Sequence, residues 1–132
     1  MTDHTPLSMR TPLGRVRYLG SAHHGTRAFW HQRLTSVANV PLTIAVIVIV
    51  IGLLGRNHAA VVQILGSTFV SITMLLFVLT SAYHMWLGMQ VIIEDYVHNE
   101  LWKLVMLMAN TFFSFTVGLA AVFAILKLSF GL

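Results

Sequence analysis

The sequence predicts an all-α membrane protein with three transmembrane helices, preceded by a basic, largely irregular N-terminal segment on the inner side of the membrane. Of the 132 residues, 57% are hydrophobic and only 9% are charged, and the mean hydropathy is +0.81. Water-soluble domains contain about 25% charged residues, so lipid must solvate much of this chain. We expect an N-terminal segment over residues 1–30 and a three-helix membrane domain over residues 31–132.

The first apolar run, Leu34–Leu54, is 21 residues long and has no charged residue. At about 1.5 Å per residue it is long enough to cross a hydrocarbon core of about 30 Å. We predict a helix over about 31–54, kinked near Pro41.

The second apolar run, Ala59–Ile93, is too long for a single crossing. A single helix of its 35 residues would span about 52 Å. Either its first residues form a surface turn or the helix protrudes from the membrane. We expect the membrane part at about Ile64–Ile93, within a helix over about 64–96.

The third apolar run, Leu104–Leu126, predicts a helix over about 101–129. Small residues recur along it at intervals that allow another helix to approach closely in lipid. They are Ala109, Ser114, Gly118 and Ala121.

The basic residues indicate membrane orientation rather than nucleic-acid binding. The net charge is +4, but five of the eight basic residues precede the first apolar run, where they favour the inner face. Three crossings then place the loop of residues 94–100 on the same inner face and the C-terminus outside. The five residues are Arg10, Arg15, Arg17, Arg27 and Arg33.

Several kinds of chemistry are excluded or disfavoured by the composition. The chain has no cysteine, which excludes disulfides, iron–sulfur ligation and cysteine nucleophiles within it. His23, His24 and His31 are expected near the surface, and without a neighbouring cysteine or carboxylate they do not indicate a metal site.

His84 is the one ionisable side chain deep in the second predicted helix, about 14 Å from its inner end. An intramembrane histidine is unfavourable unless it is paired, so His84 is a candidate haem ligand, proton relay or helix-to-helix hydrogen-bonding group. Ser81 and Gly88 lie on the same helix face and are small. They leave room for a flat macrocycle or for another helix.

Three residues near the inner membrane boundary have candidate roles in binding. Asp95 follows His84 by eleven positions, which returns it to nearly the same helix face, and Tyr96 is adjacent. A carboxylate beside a phenol can hold and protonate the carbonyl oxygens of a quinone, although a membrane-anchoring Tyr beside a solvated acidic loop is an alternative. Arg33 is suited either to a haem propionate or to phospholipid headgroups.

The run from His84 to Val97, HMWLGMQVIIEDYV, resembles the H-x-W-x-G-M signature and following D-Y-V of a known family. That family is the smaller of the two hydrophobic membrane anchors of succinate:quinone oxidoreductase. The segment from Gly25 to Thr35 is similar to the family's pre-helix segment, but it has Arg27 and Ala28 where some members have His and Asp. The opening Arg-Thr-Pro-Leu-Gly is similar to alphaproteobacterial members.

This resemblance implies a non-catalytic subunit of a larger enzyme, succinate dehydrogenase. His84 would be one axial ligand of a b-type haem, and the partner anchor subunit would donate the other. Tyr96 would hydrogen-bond ubiquinone with support from Asp95, and Arg33 is a possible propionate contact. The resemblance also implies iron–sulfur and flavoprotein partner subunits, and a bacterial inner membrane location with a cytoplasmic N-terminus and a periplasmic C-terminus.

Two other functions stay open from the residues themselves. One is a haem-free membrane scaffold, in which His84 only packs or hydrogen-bonds. The other is a cytochrome b subunit of a different quinone-linked oxidoreductase, of the formate or hydrogenase type. Such subunits usually need several membrane histidines for two haems, and only His84 qualifies here.

Overall fold

The computed structural model describes the backbone of residues 24–131 and the side chains of residues 26–131. Four α-helices and no strands are present in this part of the chain. The expectation of a largely irregular, basic N-terminal segment falls mostly on residues 1–23, which lie outside the described residues.

Helix α1 spans His24–Leu53 and begins earlier than the apolar run predicted. Thr26–Leu53 is long and apolar enough to cross a membrane, so Arg27 and Arg33 belong to the helix itself. Pro41 lies inside α1, and the helix continues through it. The chain then turns at Gly55, whose φ of +73° is a left-handed conformation that glycine adopts without a steric penalty.

Helix α2 is short and accounts for the excess length of the second apolar run. It spans His58–Leu65 and starts at Asn57, whose side chain accepts a hydrogen bond from Ala60 N. It ends at Gly66, where the backbone passes close to Leu128, near the C-terminal end of the last helix in the chain. A β-carbon on Gly66 would lie 3.1 Å from the carbonyl oxygen of Leu128. The first residues of the second apolar run therefore form a separate short helix and a turn, and they do not extend the long helix that follows.

Two long helices complete the fold, and their bounds agree closely with the predicted ones. Helix α3 spans Thr68–Tyr96 and helix α4 spans Glu100–Phe130. Asn99 caps α4 by accepting from the backbone N–H groups of Leu101 and Trp102. Gly131, at a φ of +69°, follows its last turn.

Helix α3 is the central element because both α1 and α4 pack against it, whereas α1 and α4 barely meet in the described part of the chain. Of the predicted small residues on α4, Ser114 is buried and Gly118 lies against Ala82 of α3, while Ala109 is exposed. The only hydrophobic side chains classed as buried among the described residues are Leu87 and Ile93. A chain this apolar with so little core must be covered by lipid or by other protein.

Candidate functional site

The candidate site is centred on His84, which lies on α3 and faces α1. The Nδ1 atom of His84 is 2.9 Å from Oγ1 of Thr35, a hydrogen-bonding distance between two part-buried side chains. The intramembrane histidine is therefore paired across the α1–α3 interface. The sequence analysis identified the histidine but not this partner.

The Thr35 hydroxyl also has acceptors within its own helix, the carbonyl oxygens of His31 at 2.8 Å and Gln32 at 3.1 Å. Its single hydrogen therefore has partners other than the imidazole, and its oxygen can accept from Nδ1 of His84. This arrangement favours the Nδ1–H tautomer, in which Nε2 has a free lone pair.

Nε2 of His84 is the atom available to a ligand. It makes no hydrogen bond to residues 26–131, and it is not sealed off inside that part of the chain. An unprotonated, accessible imidazole nitrogen whose opposite N–H is held by a neighbouring oxygen is the usual state of a histidine that binds a metal. The donor chemistry at His84 therefore fits a haem iron.

Two further polar contacts join α1 to α3 on either side of the Thr35–His84 pair. Asn39 Oδ1 accepts hydrogen bonds from Thr80, at 2.7 Å, and from Ser81, at 3.3 Å. On the inner side, His31 Nδ1 is hydrogen-bonded to the hydroxyl of Tyr83.

These contacts place His31 beside α3, in the first part of the candidate span Thr26–Leu53. His31, Thr35 and Asn39 are spaced four residues apart on α1 and therefore share one helix face. That spacing was the sequence signal for the interface with α3.

The notch at Gly88 is occupied by α1 rather than left open. A β-carbon on Gly88 would lie 3.3 Å from Nε2 of Gln32, so the glutamine side chain fills the space. Of the two occupants that the small residues allow, the structure shows another helix and not a flat group at this position. The Oε1 atom of Gln32 is buried and has no hydrogen-bond partner within residues 26–131.

Asp95 and Tyr96 are the last two residues of α3, and both are exposed. Tyr96 is 78% exposed. Neither side chain makes a hydrogen bond or an ion pair with other described residues, so the carboxylate and the phenol are both available to groups outside the chain. Tyr96 lies twelve residues after His84, about 18 Å along the helix. The predicted haem ligand and the predicted quinone-binding pair therefore lie at different levels of the same helix.

Arg33 is not beside His84. It precedes Thr35 by two residues, which turns it about 160° away from the face that contacts α3. Its guanidinium lies over the ring of Phe29, 4.9 Å from the ring centre.

The depth of Arg33 limits its possible partners. Thr35 lies beside His84 on an antiparallel helix, so Arg33 is level with Trp86, about 12 Å from Glu94 along the axis. A cation this far inside the membrane requires an anionic partner or access to water.

The opposite side of α3 packs on α4 through Trp86. Its indole N–H donates to Thr111 Oγ1 at 3.1 Å, and its carbonyl accepts from Asn110 at 3.0 Å. Trp86 is therefore an interhelical contact. An apolar cavity of about 400 Å³ lies beside it, lined in part by Tyr83 and Gly118.

The described part of the chain has three helices long and apolar enough to cross a membrane, with His84 at the contact between two of them. The chain belongs to the succinate dehydrogenase/fumarate reductase transmembrane subunit family, whose model matches residues 8–125. The predicted family is thereby confirmed, and the chain is a membrane subunit of an enzyme complex rather than an enzyme alone.

Two curated relatives agree with this assignment. The chain is 28% identical over 121 residues to the succinate dehydrogenase hydrophobic membrane anchor subunit of Paracoccus denitrificans, covering 92% of this chain and 93% of the relative. It is 27% identical over 116 residues to the protein of the same name from Rickettsia bellii, covering 88% and 93%. No solved structure matches the chain significantly.

Proposed function

We propose that this chain anchors a succinate:quinone oxidoreductase in the membrane, would hold a b-type haem through His84 and forms one wall of the ubiquinone site. The observation that supports this most directly is the 2.9 Å contact between His84 Nδ1 and Thr35 Oγ1, because it leaves Nε2 without a hydrogen-bond partner among residues 26–131.

His84 would hold the haem together with a histidine of a partner anchor subunit. When bound, a b-type haem supplies a one-electron carrier within the membrane. Thr35 would hold the imidazole ring, and Arg33 is a candidate to pair with a propionate. The depth of Arg33 supports this pairing because a phospholipid headgroup is a more distant partner there than at the membrane boundary.

Tyr96 and Asp95 would form this chain's part of the quinone site. The exposed phenol can donate a hydrogen bond to a quinone carbonyl oxygen, and the neighbouring carboxylate can orient that donor or relay a proton from the inner aqueous phase. Their position at the end of α3 suits a pocket completed by the partner anchor and the iron–sulfur subunit. Electrons would arrive from that iron–sulfur subunit.

We place the N-terminus in the cytoplasm and the C-terminus in the periplasm of a bacterial inner membrane. Three spans put the two ends of the chain on opposite sides. The concentration of arginines before and within the start of α1 favours the cytoplasm for that end. The same orientation puts Tyr96 at the cytoplasmic boundary.

Purification of the intact complex through a tag on this chain tests the assignment of partners. We expect the flavoprotein, iron–sulfur and second anchor subunits to co-purify with succinate:quinone reductase activity. A complex with a different catalytic subunit would instead identify another quinone-linked oxidoreductase. Co-purification of the expected partners without any haem would identify the haem-free scaffold.

Removal of a single hydroxyl tests the quinone site. Tyr96→Phe should impair quinone reduction while the complex still assembles, because it removes the donor and keeps the ring. Tyr83→Phe is the matched control, since it removes a hydroxyl from the same helix on a side chain paired with His31. Normal quinone kinetics in Tyr96→Phe would refute the role of the phenol.

A further inference from the structure

Thr35 contacts another helix through its hydroxyl, as Thr80 and Thr111 also do, but its partner is the imidazole of His84. Threonines in helices commonly donate to a carbonyl of the preceding turn, and Thr73 does so to Phe69 at 2.9 Å. Thr35 makes the same local bonds, to His31 and Gln32. It also lies 2.9 Å from His84 Nδ1 on another helix, which no local requirement explains.

The local bonds hold the Thr35 oxygen in a fixed position and orientation. A histidine that binds a metal through Nε2 carries its hydrogen on Nδ1, and the Thr35 oxygen is placed to accept it. Regular helices hold such side chains more precisely than loops do.

We propose that Thr35 is a positioning residue that holds His84 in the Nδ1–H tautomer and fixes the ring orientation, and so tunes the haem that Nε2 binds. This inference rests on the proposed function, in which His84 is an axial ligand. The hydrogen bond at Nδ1, the ring nitrogen of His84 that does not bind the iron, would then be made by α1 of this chain and not by a partner protein or by water.

The physical consequence is a more strongly donating imidazole. An acceptor on the far N–H increases the basicity of a histidine ligand, and loss of such a partner typically weakens metal binding about 10–100-fold. A stronger donor stabilises ferric over ferrous iron. Removal of the Thr35 acceptor should therefore shift the haem midpoint potential to more positive values and make the haem easier to extract.

Three variants of the intact purified complex test this inference. Thr35→Val keeps the side-chain shape and removes the acceptor, and Thr35→Ser keeps the acceptor and removes the methyl group. Thr73→Val is the matched control, because it breaks the same local back-bond on a side chain without an interhelical partner. Thr35→Ala provides a second acceptor-free variant if the valine complex fails to assemble.

Two measurements report on the ligand rather than on assembly. One is the haem midpoint potential from a redox titration, and the other is the electron paramagnetic resonance spectrum of the ferric haem, which is sensitive to imidazole orientation. We expect a more positive potential and altered resonances in Thr35→Val. Thr35→Ser and Thr73→Val should match the wild type.

The outcomes separate this inference from the proposed function. A wild-type complex without b-type haem, or an unchanged haem in His84→Ala, would overturn the proposed function. A wild-type complex with haem that His84→Ala alters, but whose potential and resonances are unchanged in both acceptor-free Thr35 variants, would overturn only the role of Thr35.

Discussion

Gly66→Ala should destabilise the helical bundle, because the glycine lies where the end of α2 meets the end of α4. The added β-carbon would lie 3.0 Å from the Val62 carbonyl oxygen and 3.1 Å from that of Leu128. Both are backbone atoms, so relief requires one helix end to move by a few tenths of an ångström. Insertion of a group into a packed site typically costs about 1–3 kcal/mol.

A favourable effect of alanine on the unfolded chain reduces the expected loss of stability. Gly66 has φ −78° and ψ −9°, which any L-residue adopts, so alanine adds no backbone strain. At a compatible position, alanine also restricts the unfolded chain and stabilises by about 0.4–1 kcal/mol. The net expectation is a loss of about 1–2 kcal/mol.

The assay is thermal dissociation of the purified complex, followed by size-exclusion chromatography. Gly52→Ala is the control, because no atom lies within 4 Å of its β-carbon position and alanine is favoured by about 1 kcal/mol inside a helix. The haem spectrum should be unchanged in both variants, since His84 lies about 24 Å along α3 from its first residue. A Gly66→Ala complex at least as stable as wild type would refute the steric reasoning.

Three further predictions concern the faces of α1 and α4. Gly118→Leu should lower the stability of the complex by about 1–3 kcal/mol, because the larger side chain would push α4 away from Ala82 of α3. Gly118→Ala should be tolerated, because its β-carbon would lie 3.4 Å from the β-carbon of Ala82, an ordinary contact distance. The same dissociation assay compares the two variants. Asn39→Leu should cost only about 1 kcal/mol in that assay, since it loses two interhelical hydrogen bonds of about 0.6 kcal/mol each. The proposed pairing of Arg33 with a haem propionate would put a cation beside the haem, and a cation disfavours ferric iron. Arg33→Gln should therefore shift the haem midpoint potential to more negative values in a redox titration, while Arg56→Gln at the outer end should not.

The three spans were predictable because a lack of charge over twenty or more residues has few explanations besides lipid. The start of α1 was not predictable by the same criterion. The apolar run begins only at Leu34, because Arg27 and Arg33 precede it. A helix nevertheless continues through charged residues that lie near the membrane boundary or pair with other groups in a complex. The register of α1 against α3 brings His31 beside Tyr83 and Arg33 level with Trp86, and it does not depend on where α1 begins.

The site was predictable in its residues but not in its contacts. His84 was recognisable from its depth in an apolar helix. Its pairing with Thr35 depends on the register of two antiparallel helices, which a single helix does not specify. The same limit applies to Gly88, whose small size allows either a ligand or a helix. In the structure, the side chain of Gln32 from α1 lies against Gly88.

The central claim, that His84 ligates a haem through Nε2, is tested most directly by a reduced-minus-oxidised optical spectrum of the complex purified through this chain. We expect a b-type signal in the wild type that weakens or changes spin state in His84→Ala. The signal should be retained in His58→Ala, whose histidine lies on α2. A wild-type complex without that signal, or an identical signal in His84→Ala, would contradict the claim.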